Sequence, residues 1–311
     1  MIPFSILLKN AKKYDKINTY PINFEERERI MEKKVIIAAD STCDLGAELI
    51  ARYDIKILPL RVHLGEAEYS DGVDIDPDAI YRHYEEHKEL PKTAAPNIAD
   101  FEDLFEAQKG QNGVVLFTIS AEMSSTYNNA RLAAMNFENV HVVDSRNLST
   151  GGGLLVIAAA EMALAGKSAA EIAESCRART ALVDASFVVD DLEFLHKGGR
   201  CSAVAAFGAN LLQLKPCIGV RDGKMGVGKK YRGKFGAVLK KYVADRIGAG
   251  TGIDLSRVFV THAGCDAAIV DECVAQVKAL APFAEVHVTR AGCTISSHCG
   301  RNTLGVLFLR T

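Results

Sequence analysis

At 311 residues, with 48% apolar and 24% charged side chains, the chain is long enough to bury one large core or two medium ones. A formal net charge of −2 argues against a nucleic-acid binder driven by phosphate contacts. No uninterrupted apolar stretch reaches the ~20 residues of a membrane span. The longest, 154–165, contains Glu161 and reads as a buried helix.

Residues 1–31 form an N-terminal extension, rich in charge from Lys9 onward. Its start carries neither a basic segment nor a small-residue cleavage site, so it is a poor signal peptide. An ordering tail, a docking arm and an upstream start all fit it.

From Val35 onward, strand, loop and helix alternate. The run 35–39 reads as a first strand, followed by Asp40-Ser41-Thr42-Cys43-Asp44 and a helix through Arg52. A second strand covers 55–60, with 61–64 as its extension, and 69–75 is a connecting loop. Asp76-Pro77 caps a helix over 78–87. Strands at 114–119 and 141–144 complete a βα series, which implies a mainly parallel sheet covered on both faces. In such sheets ligands bind at the carboxyl ends of the strands. The loops 40–44, 120–127 and 144–153 all lie there.

The second half differs. A strand at 187–189 leads into His196-Lys197-Gly198-Gly199-Arg200-Cys201 and a small-residue helix over 202–212. The runs 217–220 and 224–227 flank Asp222-Gly223, the signature of a β-hairpin. A helix at 235–247, a strand at 257–261, a helix at 265–280 and strands at 285–289 and 305–309 follow. The fold class is therefore α/β, with two α/β domains: 32–185 around a mainly parallel sheet, and 186–311 around a mixed sheet. The segment Thr294-Ile295-Ser296-Ser297-His298-Cys299-Gly300 reads as a tight loop that sets a histidine among small hydroxyl residues, suited to hydrogen-bonding an anion.

The eight cysteines include no Cys-x-x-Cys pair, which points to reduced thiols in a cytoplasmic protein. Cys293, His298 and Cys299 lack a second close-spaced ligand pair, so no metal is expected. His83 and His87 sit among Arg82, Glu85, Glu86 and Lys88, a solvated helix face. Lys197-Gly198-Gly199-Arg200 lacks the spacing of a phosphate loop, and no Gly-x-Ser-x-Gly nucleophile elbow is present. Asp40-Ser41-Thr42 and Thr93-Ala94-Ala95-Pro96-Asn97 suit helix capping. The loop 120–129 carries four hydroxyls directly after a strand, more than one cap requires.

Taken together these loops resemble the DegV family of fatty-acid-binding proteins that serve a bacterial fatty acid kinase. The landmarks run in order from Val35 to Phe308. They are Asp40-Ser41-Thr42-Cys43-Asp44-Leu45, Tyr69-Ser70-Asp71-Gly72-Val73-Asp74, Pro91-Lys92-Thr93-Ala94-Ala95-Pro96 and Ile119-Ser120-Ala121-Glu122-Met123-Ser124-Ser125-Thr126-Tyr127. Val143-Asp144-Ser145, Leu195-His196-Lys197-Gly198-Gly199-Arg200, Leu214-Lys215-Pro216 and Ser297-His298-Cys299-Gly300 close the series. The resemblance implies a non-enzymatic carrier that binds a long-chain fatty acid between the two α/β domains, its tail in an apolar tunnel, without a cofactor or a metal. The carrier presents the carboxylate to the separate catalytic subunit of a fatty acid kinase, which makes acyl phosphate. It also implies no nucleic-acid partner and at most transient membrane contact. The site residues implied are Thr93, Ser120, Ser124, Ser125, Thr126, Arg200, Ser297, His298 and Gly300. The tunnel residues expected are Leu154, Leu155, Val156, Ile157, Phe187, Phe207, Leu211, Leu212, Ile218 and Phe308.

Two motifs depart from the family pattern: Thr-Ser-Gln-Pro is Thr93-Ala94-Ala95-Pro96 here, and the proline of His-x-Gly-Pro-Gly is Arg301. An acyl hydrolase or transferase using Ser124 with His298, and a sensor for another small carboxylate or phosphate, are the competing readings.

Overall fold

The computed structural model describes residues 34–202, 204, 214–248 and 250–311. The extension 1–31 and, with it, Phe207, Leu211 and Leu212 of the helix expected over 202–212 lie outside the described residues. Val35–Thr311 make one compact unit.

The first strands are Ile36–Asp40 (β1), Lys56–Leu58 (β2), Val114–Thr118 (β6) and Val140–Asp144 (β7). They form a four-stranded, wholly parallel sheet in the order β2-β1-β6-β7. Between them come the helices Ala47–Tyr53 (α1), Pro77–His87 (α2) and Ile98–Glu106 (α3), and Arg61–Leu64 (β3), Ala67–Ser70 (β4) and Lys92–Ala94 (β5). Arg61–Leu64 is not the continuation of the second strand expected from the sequence. Pro59 offers no N–H to a ladder, and the chain leaves the sheet there. β3 then pairs antiparallel with β4 and β5 in a small separate sheet, so part of the expected connecting loop over 69–75 is strand.

After β6 come Thr126–Ala134 (α4), Thr150–Leu164 (α5), Ala169–Arg179 (α6), Val183–Val189 (β8) and Glu193–Gly198 (α7). The hairpin is Leu214–Arg221 (β9) and Lys224–Arg232 (β10), and both Asp222 and Gly223 take positive φ, the twist such a turn needs. Phe235–Ile247 (α8), Ile253–Ala263 (β11), Ala267–Leu280 (α9), Glu285–Arg290 (β12), Cys293–Cys299 (α10) and Thr303–Arg310 (β13) complete the chain. The second large sheet is mixed, in the order β10-β9-β8-β13-β11-β12, with only β11 and β12 parallel. β8 belongs wholly to it, so the changeover between sheets falls just ahead of the division read near residue 185.

The layers follow from side-chain period. In β13, Val306 and Phe308 face the cluster built with α8 and α9, whereas Leu307 and Leu309 face the central core. In β1, Ile36 and Ala38 pack on α3 and α4, while Ile37 and Ala39 face inward. Helix α5 lies between the two sheets and is buried along its first eleven residues, which is why its sequence is apolar all round rather than on one stripe. At Gly153 a Cβ would meet the Cys43 carbonyl oxygen at 2.8 Å, so only glycine lets the helix come this close to the loop after β1. Leu154, Leu155, Val156, Ile157, Phe187 and Ile218 belong to this central core, and Phe308 to the outer one. None of them lines the cavity described below, and each packs in one of these two clusters.

Candidate functional site

Helix α10 carries the histidine singled out in the sequence, and it is a helix rather than the expected loop. It is only seven residues long, its N-cap is Gly292, and no side chain of its own caps it. Its first amides are satisfied from far away in the chain. Gly292 N donates to Asp44 at 2.8 Å, and Cys293 N and Thr294 N donate to Asp71 at 2.7 and 3.1 Å. Carboxylates suit a helix N-terminus because its N–H groups are orphaned and carry partial positive charge. Asp71 also accepts from Ser41 Oγ at 3.0 Å, and Asp44 from Ser149 Oγ. Burial raises the Asp44 carboxyl well above its ordinary range. Asp40 accepts from Thr42 N, Thr42 Oγ1 and Ile119 N, yet burial still pushes it up to about 6. The motif after the first strand thus orders the loop and helix that surround the site.

A cavity of about 330 Å³ opens against α10, within the ~300–1,000 Å³ range of small-molecule sites. Its polar lining is Thr93, Ser124, Ser125, Asn129, Arg200, Thr294 and His298. Its apolar lining includes Leu60, Ile119, Met123, Leu148, Met225 and Ile295. Thr93 Oγ1 lies 2.8 Å from His298 Nε2. Burial, with a smaller contribution from Arg200, pushes the His298 pKa down to about 4, so the ring is neutral at pH 7 and has one N–H to donate. Its Nδ1 faces Gly198, where a Cβ would stand 2.7 Å away. Arg200 is exposed at the cavity and holds the Gly198 carbonyl at 2.9 Å. The Lys197-Gly198-Gly199-Arg200 run therefore gives the histidine room and brings a cation to the same opening. Burial drives the Cys299 thiol up to about 12, which makes it an inert part of the wall.

The structure brings Thr93, Ser124, Ser125, Arg200 and His298 to one cavity; it does not bring Ser120, Thr126, Ser297 or Gly300 there. The Ser297 hydroxyl donates to the Cys293 carbonyl one turn back at 2.8 Å. Thr126 is buried and shares a hydrogen bond with Ser124 Oγ at 2.8 Å. Gly300 ends α10 with φ of 74°, and a Cβ there would stand 3.1 Å from the Phe194 side chain. The Ser120 hydroxyl donates to the Gly223 carbonyl at 2.7 Å, and a Cβ on Gly223 would collide with that oxygen at 2.6 Å. That bond ties the serine loop to the β9–β10 turn and accounts for Met225 reaching the cavity. Ser124 is paired with Thr126, and His298 with Thr93, so the serine–histidine pair of a hydrolase is not assembled. Arg301 turns away, over the Tyr81 ring at 4.9 Å and toward Glu85 at 3.6 Å.

Asn129, Met225 and Thr294 were not anticipated. Asn129 Nδ2 donates to the Pro96 carbonyl at 2.8 Å and clasps the Thr93 loop to α4. Thr294 stands four residues before His298, the spacing of one helical face, a signal available only once α10 is recognised as a helix. Nothing in the local sequence marks Met225. Among the described residues no helix is long and apolar enough to cross a membrane, and no cluster of metal-ligating side chains is formed.

Two sheets enclosing one buried helix, with a mixed polar and apolar cavity beside α10, define an α/β protein with a pocket of small-molecule size. The chain belongs to the DegV family: the family model, described as "Uncharacterised protein, DegV family", matches residues 34–311. A DegV domain-containing protein of Caldanaerobacter subterraneus subsp. tengcongensis is 31% identical over 284 residues, spanning 89% of this chain and 99% of its own. Among solved structures, a Thermus thermophilus DegV family protein described by its fatty acid binding superposes with a TM-score of 0.82 at 30% identity, over 89% of this chain and 100% of its own. A stearic acid-binding protein of Eubacterium ventriosum superposes with a TM-score of 0.76 at 29% identity, over 89% and 98%.

Proposed function

We propose that this chain is a non-catalytic carrier that binds a long-chain fatty acid in the α10 cavity and presents its carboxylate to a separate fatty acid kinase. The observation that carries this reading is the Thr93–His298 pair at 2.8 Å in a cavity that also holds Ser124, Ser125 and Arg200 beside Leu60, Met123, Met225 and Ile295. Burying a carboxylate is costly unless several donors meet it. A neutral imidazole and short hydroxyls supply such donors, and Arg200 adds a charge at the opening. Each methylene buried contributes roughly 0.8 kcal/mol, so the tail supplies most of the affinity. The fatty acid binding described for the Thermus thermophilus and Eubacterium ventriosum relatives supports the same ligand class. A cytoplasmic location goes with this role.

Native mass spectrometry of freshly purified protein, followed by lipid extraction, tests the ligand. A stoichiometric fatty acid is expected, and an empty protein that also refuses added fatty acids overturns the reading. The kinase step is tested by reconstitution with ATP and a fatty acid kinase. Acyl phosphate should form only with the carrier present, and His298→Ala should slow it by at least about tenfold.

A further inference from the structure

Thr294 is 3% exposed, lines the cavity, and its hydroxyl has no hydrogen-bond partner among the described residues. Its backbone is fixed, because Thr294 N is held by Asp71 at 3.1 Å. Threonine in a helix divides between two rotamers that exchange methyl and hydroxyl, so the oxygen can turn to whatever fills the space beside it. Thr294 and His298 share one face of α10, and side chains four apart on a helix stand ~5–6 Å from each other at Cβ. The apolar lining residues Leu60, Ile119, Met123 and Ile295 offer that oxygen nothing, and none of the polar groups of the lining is bonded to it. That oxygen is already shut from solvent and unpaired. It carries its desolvation cost with or without a plain acyl chain in the cavity, and only a ligand with a polar group there relieves it.

We propose that the cavity selects acyl chains bearing an oxygen substituent close to the carboxylate, a 3-hydroxy fatty acid being the chemical class that fits. With the carboxylate at the Thr93–His298 pair, a hydroxyl two carbons along the chain meets the Thr294 oxygen, one helical turn away, once that side chain turns it to the cavity. The two hydroxyls then satisfy each other, each able to donate or accept. This rests on the fatty-acid reading of the cavity and assigns it a substrate class.

The test is calorimetric titration of delipidated protein with hexadecanoate and with 3-hydroxyhexadecanoate, repeated for Thr294→Val and Thr294→Ser. The wild type should bind the hydroxylated acid about tenfold more tightly. Thr294→Val, which keeps the shape and removes the oxygen, should bring the ratio to about one. Thr294→Ser should retain the preference, which also guards against a folding artefact in the valine variant. Equal affinities in the wild type, or an unchanged ratio in Thr294→Val, overturn the proposal while leaving fatty acid binding standing. Binding of neither acid by the wild type overturns both.

Discussion

Thr93 and His298, 205 residues apart in the chain, meet at 2.8 Å between hydroxyl and Nε2. One comes from the end strand of the small sheet and the other from the last helix, so neither side chain is placed by its own neighbours. If the pair acts as a unit on the ligand carboxylate, Thr93→Val and His298→Ala should each weaken fatty acid binding by about tenfold, and the double variant by less than the product. Titration calorimetry on all four proteins gives the coupling. Strict additivity would mean that the two residues act separately.

Acid should loosen the fold through His298. Its folded pKa is about 4, below the 6.5 of an ordinary histidine. Between those values the unfolded chain takes up a proton that the folded chain refuses, so stability falls as pH drops from 6.5 toward 4. The full effect is at most about 3 kcal/mol. Asp40, raised to about 6, works in the opposite sense: its protonated form stabilises the fold at low pH, and that contribution fades as pH rises toward 6. Urea midpoints of wild type and His298→Gln from pH 4.5 to 7.5 separate the two. The variant should lose less stability on acidification, and parallel curves would remove His298 as the source.

Asp71 is the fastening of α10. Asp71→Ala strips acceptors from Cys293 N, Thr294 N and Ser41 Oγ at once. A loss of about 2–3 kcal/mol is expected in urea unfolding, with Asp71→Asn costing less because one carbonyl acceptor survives. Fatty acid affinity should fall in step, since the same helix carries His298. Full affinity in Asp71→Ala would show that α10 holds its place without this bond.

Gly198→Ala places a methyl 2.7 Å from His298 Nδ1. The ring must move, and with it the contact to Thr93. Ligand affinity should drop by about tenfold while the melting temperature shifts by only a few degrees. In a His298→Ala background the same change should cost almost nothing in affinity, and an equal cost there would put the effect elsewhere.

How much of this was legible in the sequence depended on whether the deciding contacts were local. The apolar run before Asp40, the Asp222-Gly223 turn and the Asn97 cap of α3 are each fixed by neighbouring residues, and each stands where expected. The local sequence of α10 carries no helix signal because its cap is supplied by Asp44 and Asp71, some 220 to 250 residues away. Within the site, chemistry was easier to read than geometry. The hydroxyl motifs mark Thr93, Ser124, Ser125 and His298, but the same motif contains Ser120, whose hydroxyl is taken by Gly223. Of the expected tunnel residues, Leu154 to Ile157 stand in the core and not at this cavity: they are apolar because α5 is enclosed between two sheets, and hydrophobicity alone does not separate a core from a ligand wall.

The place of β13 has a consequence for how the molecule comes into being. Last of the described strands in chain order, Thr303–Arg310 lies in the interior of the six-stranded sheet, joining β8 on one side to β11 on the other. Until residues 303–310 have left the ribosome, β8 and β11 each keep an open edge, and the two halves of the sheet have nothing between them. The His298 segment is delivered by the same stretch of chain. Assembly of the second sheet and placement of His298 therefore both wait on residues 293–310, and a nascent chain paused before residue 303 would expose two strand edges prone to aggregation.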